Sequence, residues 1–143
     1  MISDTLSAVS PPSTIAPWLS VRNGVQAISF YKAAFGATEV YHLDGPEGSV
    51  VARLSIDGAE FWLNGEGESP EHDEPTKSAN ASSPNGSSIR MILTVADPDS
   101  VFKRALAGGA SQVYPITEGH GWRMGRVVDP FGHHWEIGRQ LAG

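Results

Sequence analysis

Cysteine is absent from this chain of 143 residues. That excludes disulfides, thiolate metal centres and a cysteine nucleophile. Basic residues are scarce: 10 Lys and Arg stand against 16 Asp and Glu, for a net charge of -6. Phosphate backbones need a basic surface, so nucleic acid is not an expected partner, and a cationic or neutral small ligand suits the charge better. No apolar run approaches membrane-spanning length, so no membrane contact is expected. Residues 1–12 contain no Lys or Arg and no long apolar stretch. They do not read as a secretory signal, and a cytoplasmic location is the expectation. There is no Gly-rich phosphate loop and no Ser in a nucleophile elbow. Against these absences, hydrophobic residues make up 40%, charged residues only 18%, and there are four Trp. This is enough apolar material for a core and too little charge for a disordered chain.

The Ser, Thr and Pro of residues 1–14 predict a mobile tail. Residues 15–21 alternate as a strand, with Pro17 suited to its start. Asn23 is placed to cap a helix over 25–35, whose stripe is Ala27, Ile28, Tyr31, Ala34 and Phe35, and Gly36 ends it. Strands follow over 38–43, 49–56 and 59–64, separated by a turn cluster at 44–48 and an Asp57-Gly58 hairpin turn. His42, next to the turn cluster, reads as exposed. Residues 66–87 are rich in Glu, Ser, Pro, Asn and Gly and predict a flexible linker or flap, in which His72 belongs to a solvated acidic run. A strand is expected over 88–95. Asp97 then caps a helix over 99–107, with Pro98 in its first turn and Val101, Phe102, Ala105 and Leu106 as its buried stripe. A strand over 111–117 and a loop over 118–121 precede two closing strands. These are joined by Asp129-Pro130-Phe131-Gly132, the residue order of a type I turn.

The two halves repeat. Gly36-Ala37-Thr38-Glu39-Val40-Tyr41 matches Gly109-Ala110-Ser111-Gln112-Val113-Tyr114 at a shift of about 73 residues, and Leu19-Ser20-Val21 matches Leu93-Thr94-Val95. The prediction is an α+β fold of two tandem β-α-β-β-β modules, at 15–65 and 88–141. Each would be a small curved sheet with its helix on the convex face, and the two together would form a cleft.

On the last strand His134 and Glu136 share one face, Trp135 and Ile137 the other. If Glu136 faces the cleft, parity places His134, Trp18, Ser20, Glu60, Trp62, Asn64, Arg90, Ile92 and Thr94 there too. Leu19, Val21, Phe61, Leu63, Met91, Leu93, Trp135 and Ile137 then pack under the helices. The first set mixes aromatic and polar groups, as ligand pockets do. His120 and Arg123 complete the candidate ligand-binding group, and Glu136 and His134 are the candidate catalytic pair.

The strings Val25-Gln-Ala-Ile-Ser-Phe-Tyr-Lys-Ala-Ala-Phe-Gly-Ala and Asp129-Pro-Phe-Gly-His-His-Trp-Glu resemble the vicinal oxygen chelate superfamily of glyoxalases, bleomycin-resistance proteins and extradiol dioxygenases. They look most like its PhnB-like branch. The resemblance covers residues 15–141 and departs at His120, where that branch usually has Trp. It implies paired modules, a homodimer, and four metal-ligand positions that here are Ala16, Trp62, Arg90 and Glu136. Only Glu136 can ligate, so no metal and no cofactor is expected. A rival donor set would be His120, His134 and Glu136, a ferrous-type group. In place of the metal, Arg90 and Glu136 are expected to form an ion pair. Such a pair orients a polar ligand, supplies no Lewis acid and leaves Glu136 a poor base.

The functional reading is a protein that binds a small molecule in an aromatic-lined cleft without the usual metal, as a sequestering agent or carrier. The alternative is an enzyme: a glyoxalase-like lyase or isomerase, or a dioxygenase with a divergent metal site, or a metal-free catalyst using Glu136 or His134 as general base. A dimer with no ligand is the third possibility.

Overall fold

The structure, a computed structural model, describes residues 13–66 and 89–142. The predicted tail and the predicted linker or flap, His72 included, lie outside the described residues except at their ends.

The first half runs β1 (Trp18–Val21), α1 (Gly24–Phe35), β2 (Thr38–Asp44), β3 (Val50–Ile56) and β4 (Ala59–Gly65). The second runs β5 (Arg90–Thr94), α2 (Pro98–Ala107), β6 (Ser111–Gly119), β7 (Trp122–Val128) and β8 (His134–Gln140). Each half is one four-stranded sheet with the same order, β1-β4-β3-β2 and β5-β8-β7-β6. The first strand of each half lies parallel to the last, and the other pairings are antiparallel. The α+β fold of two β-α-β-β-β units is therefore as expected.

Local chemistry sets the boundaries. Asn23 Oδ1 accepts from the Gln26 N–H at 3.1 Å, and Asp97 Oδ1 from the Ser100 N–H at 3.2 Å, so both helices start at a side-chain cap. Gly36 closes α1 in the left-handed conformation, φ 73°. The first strand begins at Trp18 and not at Ile15, which is fully exposed. Pro17 has no N–H to give the ladder, and its carbonyl, accepting from Trp62 N–H at 2.9 Å, is the outermost contact with β4. β6 extends through Gly119, so the expected loop at 118–121 shrinks to a turn centred on His120 and Gly121. Both have positive φ, 55° and 83°, as a hairpin turn of inverse twist requires.

One core serves both halves. α1 packs against β3 and β4, α2 against β6, β7 and β8, and the helices pack on each other. Trp135 on β8 reaches across to Tyr31, Phe35 and Phe61 of the first half, with ring centroids 4.7–5.6 Å apart. At this junction sits the buried carboxylate of Asp129. It accepts hydrogen bonds from the Tyr31 hydroxyl, from Trp135 Nε1 at 2.9 Å, and from the N–H groups of Phe131 and His133, each at 2.9 Å. Arg22 Nη2 donating to Pro130 O at 3.2 Å and His133 Nε2 lying 2.9 Å from Ser20 O add two further ties.

Each sheet thus has a helix-side face and an open face. Leu19, Val21, Phe61, Leu63, Leu93, Trp135 and Ile137 are buried on the helix side, and Met91 packs partly buried against them, as parity requires. Both sheets also carry a bulge at matching places, between Glu39 and Tyr41 in β2 and between Gln112 and Tyr114 in β6. Beyond it Tyr41 faces Arg53, and Tyr114 faces Arg126. Among the described residues no helix is long and apolar enough to cross a membrane.

Candidate functional site

The open face of the first sheet is aromatic. Parallel pairing of β1 with β4 sets Trp18 beside Trp62, and their rings stack at 5.7 Å with planes 12° apart. Tyr41 leans on Trp62 at 5.6 Å, and the Arg53 guanidinium lies over the same ring at 5.2 Å. Asn64 Oδ1 fixes the edge of this platform. It accepts from Trp18 Nε1 at 2.6 Å and from the Ser20 hydroxyl at 3.1 Å. Glu60, at the far end, pairs with Arg53 at 3.4 Å. Trp18 remains 53% exposed, so the platform is a surface and not a filled core.

The open face of the second sheet is ionic. Glu136 is only 7% exposed, and three groups converge on its Oε2. Arg126 Nη2 and the Tyr114 hydroxyl donate hydrogen bonds to it at 3.1 and 3.4 Å, and Arg90 Nε makes an ion-pair contact at 3.0 Å. The expected Arg90–Glu136 ion pair is formed, through one contact and not a two-pronged fork. Two guanidiniums and a phenol occupy that oxygen, which is poor geometry for taking a proton from a substrate. His134, next to it on the same face, is buried, and its Nδ1 has no partner among the described residues. Burial first, and then the positive charge of Arg126, holds its imidazole below the ordinary value, so it is neutral at pH 7. Ile92 and Thr94 lie exposed on this face, Ile92 at 61%. Towards the β6–β7 turn the face deepens into an open groove of about 440 Å³, lined by Tyr114, Met124, Trp122 and His120 among others.

Of the candidates, Arg123 is not on this face. It alternates with Arg126 along β7 and points to the helix side. There its Nε and Nη2 grip both oxygens of Asp99 in the first turn of α2, at 2.8 and 2.6 Å, and Nη1 holds Glu118 at 3.2 Å. The two residues missed were Arg126 and Tyr114. Pairing β7 against β8 would have found the first, since Arg126 stands opposite Glu136. The tyrosine was visible in the internal repeat but carried no assigned role. His42 is exposed, as expected, and bridges Glu39 and Asp44 at 2.6 and 2.8 Å.

The donor set does not fit the metal that the resemblance implies. Trp62 and Arg90 stand at two of the four positions and cannot ligate, and Ala16 has no donor atom. The rival set of His120, His134 and Glu136 is not gathered either. Among the described residues no three His, Asp or Glu side chains come together in a way that could hold a metal.

Residues 18–138 match the family described as glyoxalase-like domain. An uncharacterized protein of Mycobacterium tuberculosis is 37% identical over 144 residues, which cover 96% of this chain and 80% of the relative. Among solved structures, TioX from Micromonospora sp. ML1 superposes with a TM-score of 0.66 at 24% identity, covering 91% of this chain and all of that one. The fosfomycin resistance protein FosX of Listeria monocytogenes does so at 0.63 and 17% identity, covering 92% and 96%. At these identities the two structures speak for the fold.

Proposed function

The chain belongs to the glyoxalase-like domain family, within the glyoxalase/bleomycin resistance/dioxygenase superfamily, and from that premise we propose that it binds a small organic molecule without the metal its enzymatic relatives use. The role is sequestration or transport. The observation that carries this reading is Oε2 of Glu136. The one side chain able to ligate at the four family positions is engaged by two guanidiniums, which hold positive charge where a cation would have to sit.

The ligand would rest on the open faces, with Trp18, Trp62 and Tyr41 as a stacking surface and the ionic cluster as the orienting group. Aromatic rings left half-exposed on a sheet face bury little area in the free protein and are available to a planar ligand. The strings around Phe30–Ala37 and Asp129–His133 support placing the chain in the PhnB-like branch. A homodimer would bring further surface over each open face.

Metal analysis of protein purified without chelator tests the reading. We expect less than stoichiometric Zn, Ni, Fe and Mn. One tightly held equivalent per chain would overturn it in favour of an enzyme, and the Mn(II) complex of FosX shows what a metal-bearing relative of this fold looks like.

A further inference from the structure

Net charge favours a cationic or neutral ligand, yet the open face of the second sheet is locally positive. Two guanidiniums, Arg90 and Arg126, face one carboxylate, Glu136, and touch the same oxygen of it at 3.0 and 3.1 Å. The neighbouring His134 is neutral and adds no charge. Glu118, which lines the groove, shares Arg123 with Asp99, so those three groups together carry one negative charge. The trio of Arg90, Arg126 and Glu136 by itself carries one positive charge in excess. It also has unused donors. The ion pair of Arg90 runs through Nε, with its side chain 52% exposed, and that of Arg126 through Nη2, while the Arg126 Nε is buried and has no partner among the described residues. The groove beside it, floored by Met124 and Trp122, offers apolar surface.

We propose that this face is an oxyanion subsite, and that the ligand is an apolar organic acid whose carboxylate caps the free guanidinium edges of Arg90 and Arg126 while its body lies along Met124 and Trp122. Planar guanidinium edges suit a carboxylate's paired oxygens, and a single excess charge matches a monoanion. Glu136 is then the counter-charge that holds both arginines in place when the ligand is absent. This rests on the binding reading above and adds the chemical class of the ligand.

The probes are 2-naphthoate and its neutral analogue 2-naphthamide, titrated calorimetrically into the full-length protein. Naphthoate should bind at least about tenfold more tightly than naphthamide at low salt, the worth of a charge-assisted hydrogen-bonded contact. Arg90→Gln should weaken naphthoate binding and remove that preference. Arg90 is half-exposed, so this variant should fold, which circular dichroism checks. Arg126→Gln should act in the same direction. Equal affinity for the two probes, or a preference that survives Arg90→Gln, would overturn the subsite and leave the binding reading standing. Failure of both probes to bind at millimolar concentration would overturn the subsite, while the metal analysis above decides the binding reading by itself.

Discussion

Among single residues, Asp129 has the largest predicted effect on stability. Its buried carboxylate gathers four donors, one of which comes from the other half of the chain, and no cation is among them. Asp129→Ala strands those donors in the core. We expect a loss of about 3 kcal/mol or more by urea unfolding, since each unsatisfied buried group costs on the order of 1–3 kcal/mol. A loss below about 1 kcal/mol would show that the donors find other partners. The same contact makes the fold sensitive to alkali. Burial, and then the nearby Asp129 charge, raises the Tyr31 phenol well above its ordinary value. Above about pH 10 the unfolded chain releases a proton that the folded chain retains. The Tyr31 contribution is therefore complete below that pH and declines as the pH rises beyond it. The urea midpoint should fall more steeply above pH 10 in the parent than in Tyr31→Phe. The sequence named Glu136 and Arg90 because they stand where relatives place ligands. It did not reveal Arg126, three residues from Arg123 in a strand. There an odd step reverses the face, and nothing local says which arginine points out.

At the level of elements, caps and periodicity read well. Asn23, Asp97 and Gly36 each bound a helix where expected, because capping is a local interaction that the residue itself carries. The sorting of β1, β4, β5 and β8 into two faces followed from alternation alone. Strand ends read less well, because pairing with a distant strand decides them, as at Pro17 and at the β6–β7 turn. The junction of β4 with α1 depends on Gly65 for closeness. A Cβ there would sit 2.4 Å from the backbone nitrogen of Gly24 and 2.5 Å from its Cα. Backbone cannot swing aside as a side chain does, so Gly65→Ala should cost about 2 kcal/mol through forced separation of strand and helix. Thermal unfolding measures it, and an unchanged midpoint would mean that the junction is looser than the structure has it.

For the molecule as a whole, the unanswered demand is on the open faces. Trp18, Tyr41, Leu43 and Ile92 are each more than two-fifths exposed. So much apolar surface on two sheets asks for cover by a ligand, a second copy or both. We expect sedimentation at twice the chain mass at micromolar concentration, with two-fold symmetry as the simplest closure. A single-chain mass under those conditions would leave the ligand alone to cover the faces. The fold was legible at this scale because the duplicated strings repeat the same element order. The chemistry was less so, because the two open faces differ at positions that the repeat does not mark.

A bulge leaves one residue of a strand without a partner across the ladder and re-aims the side chain beside it. Here it precedes Tyr41 and Tyr114 alike, and each tyrosine faces an arginine at the same register. The two sheets therefore set a tyrosine beside an arginine at equivalent places on their open faces. The two sheets differ one strand over, where the first sets Trp62 against its arginine and the second Glu136. The aromatic platform and the ionic cluster are then one tyrosine–arginine pair set against two different residues, an indole in the first sheet and a carboxylate in the second.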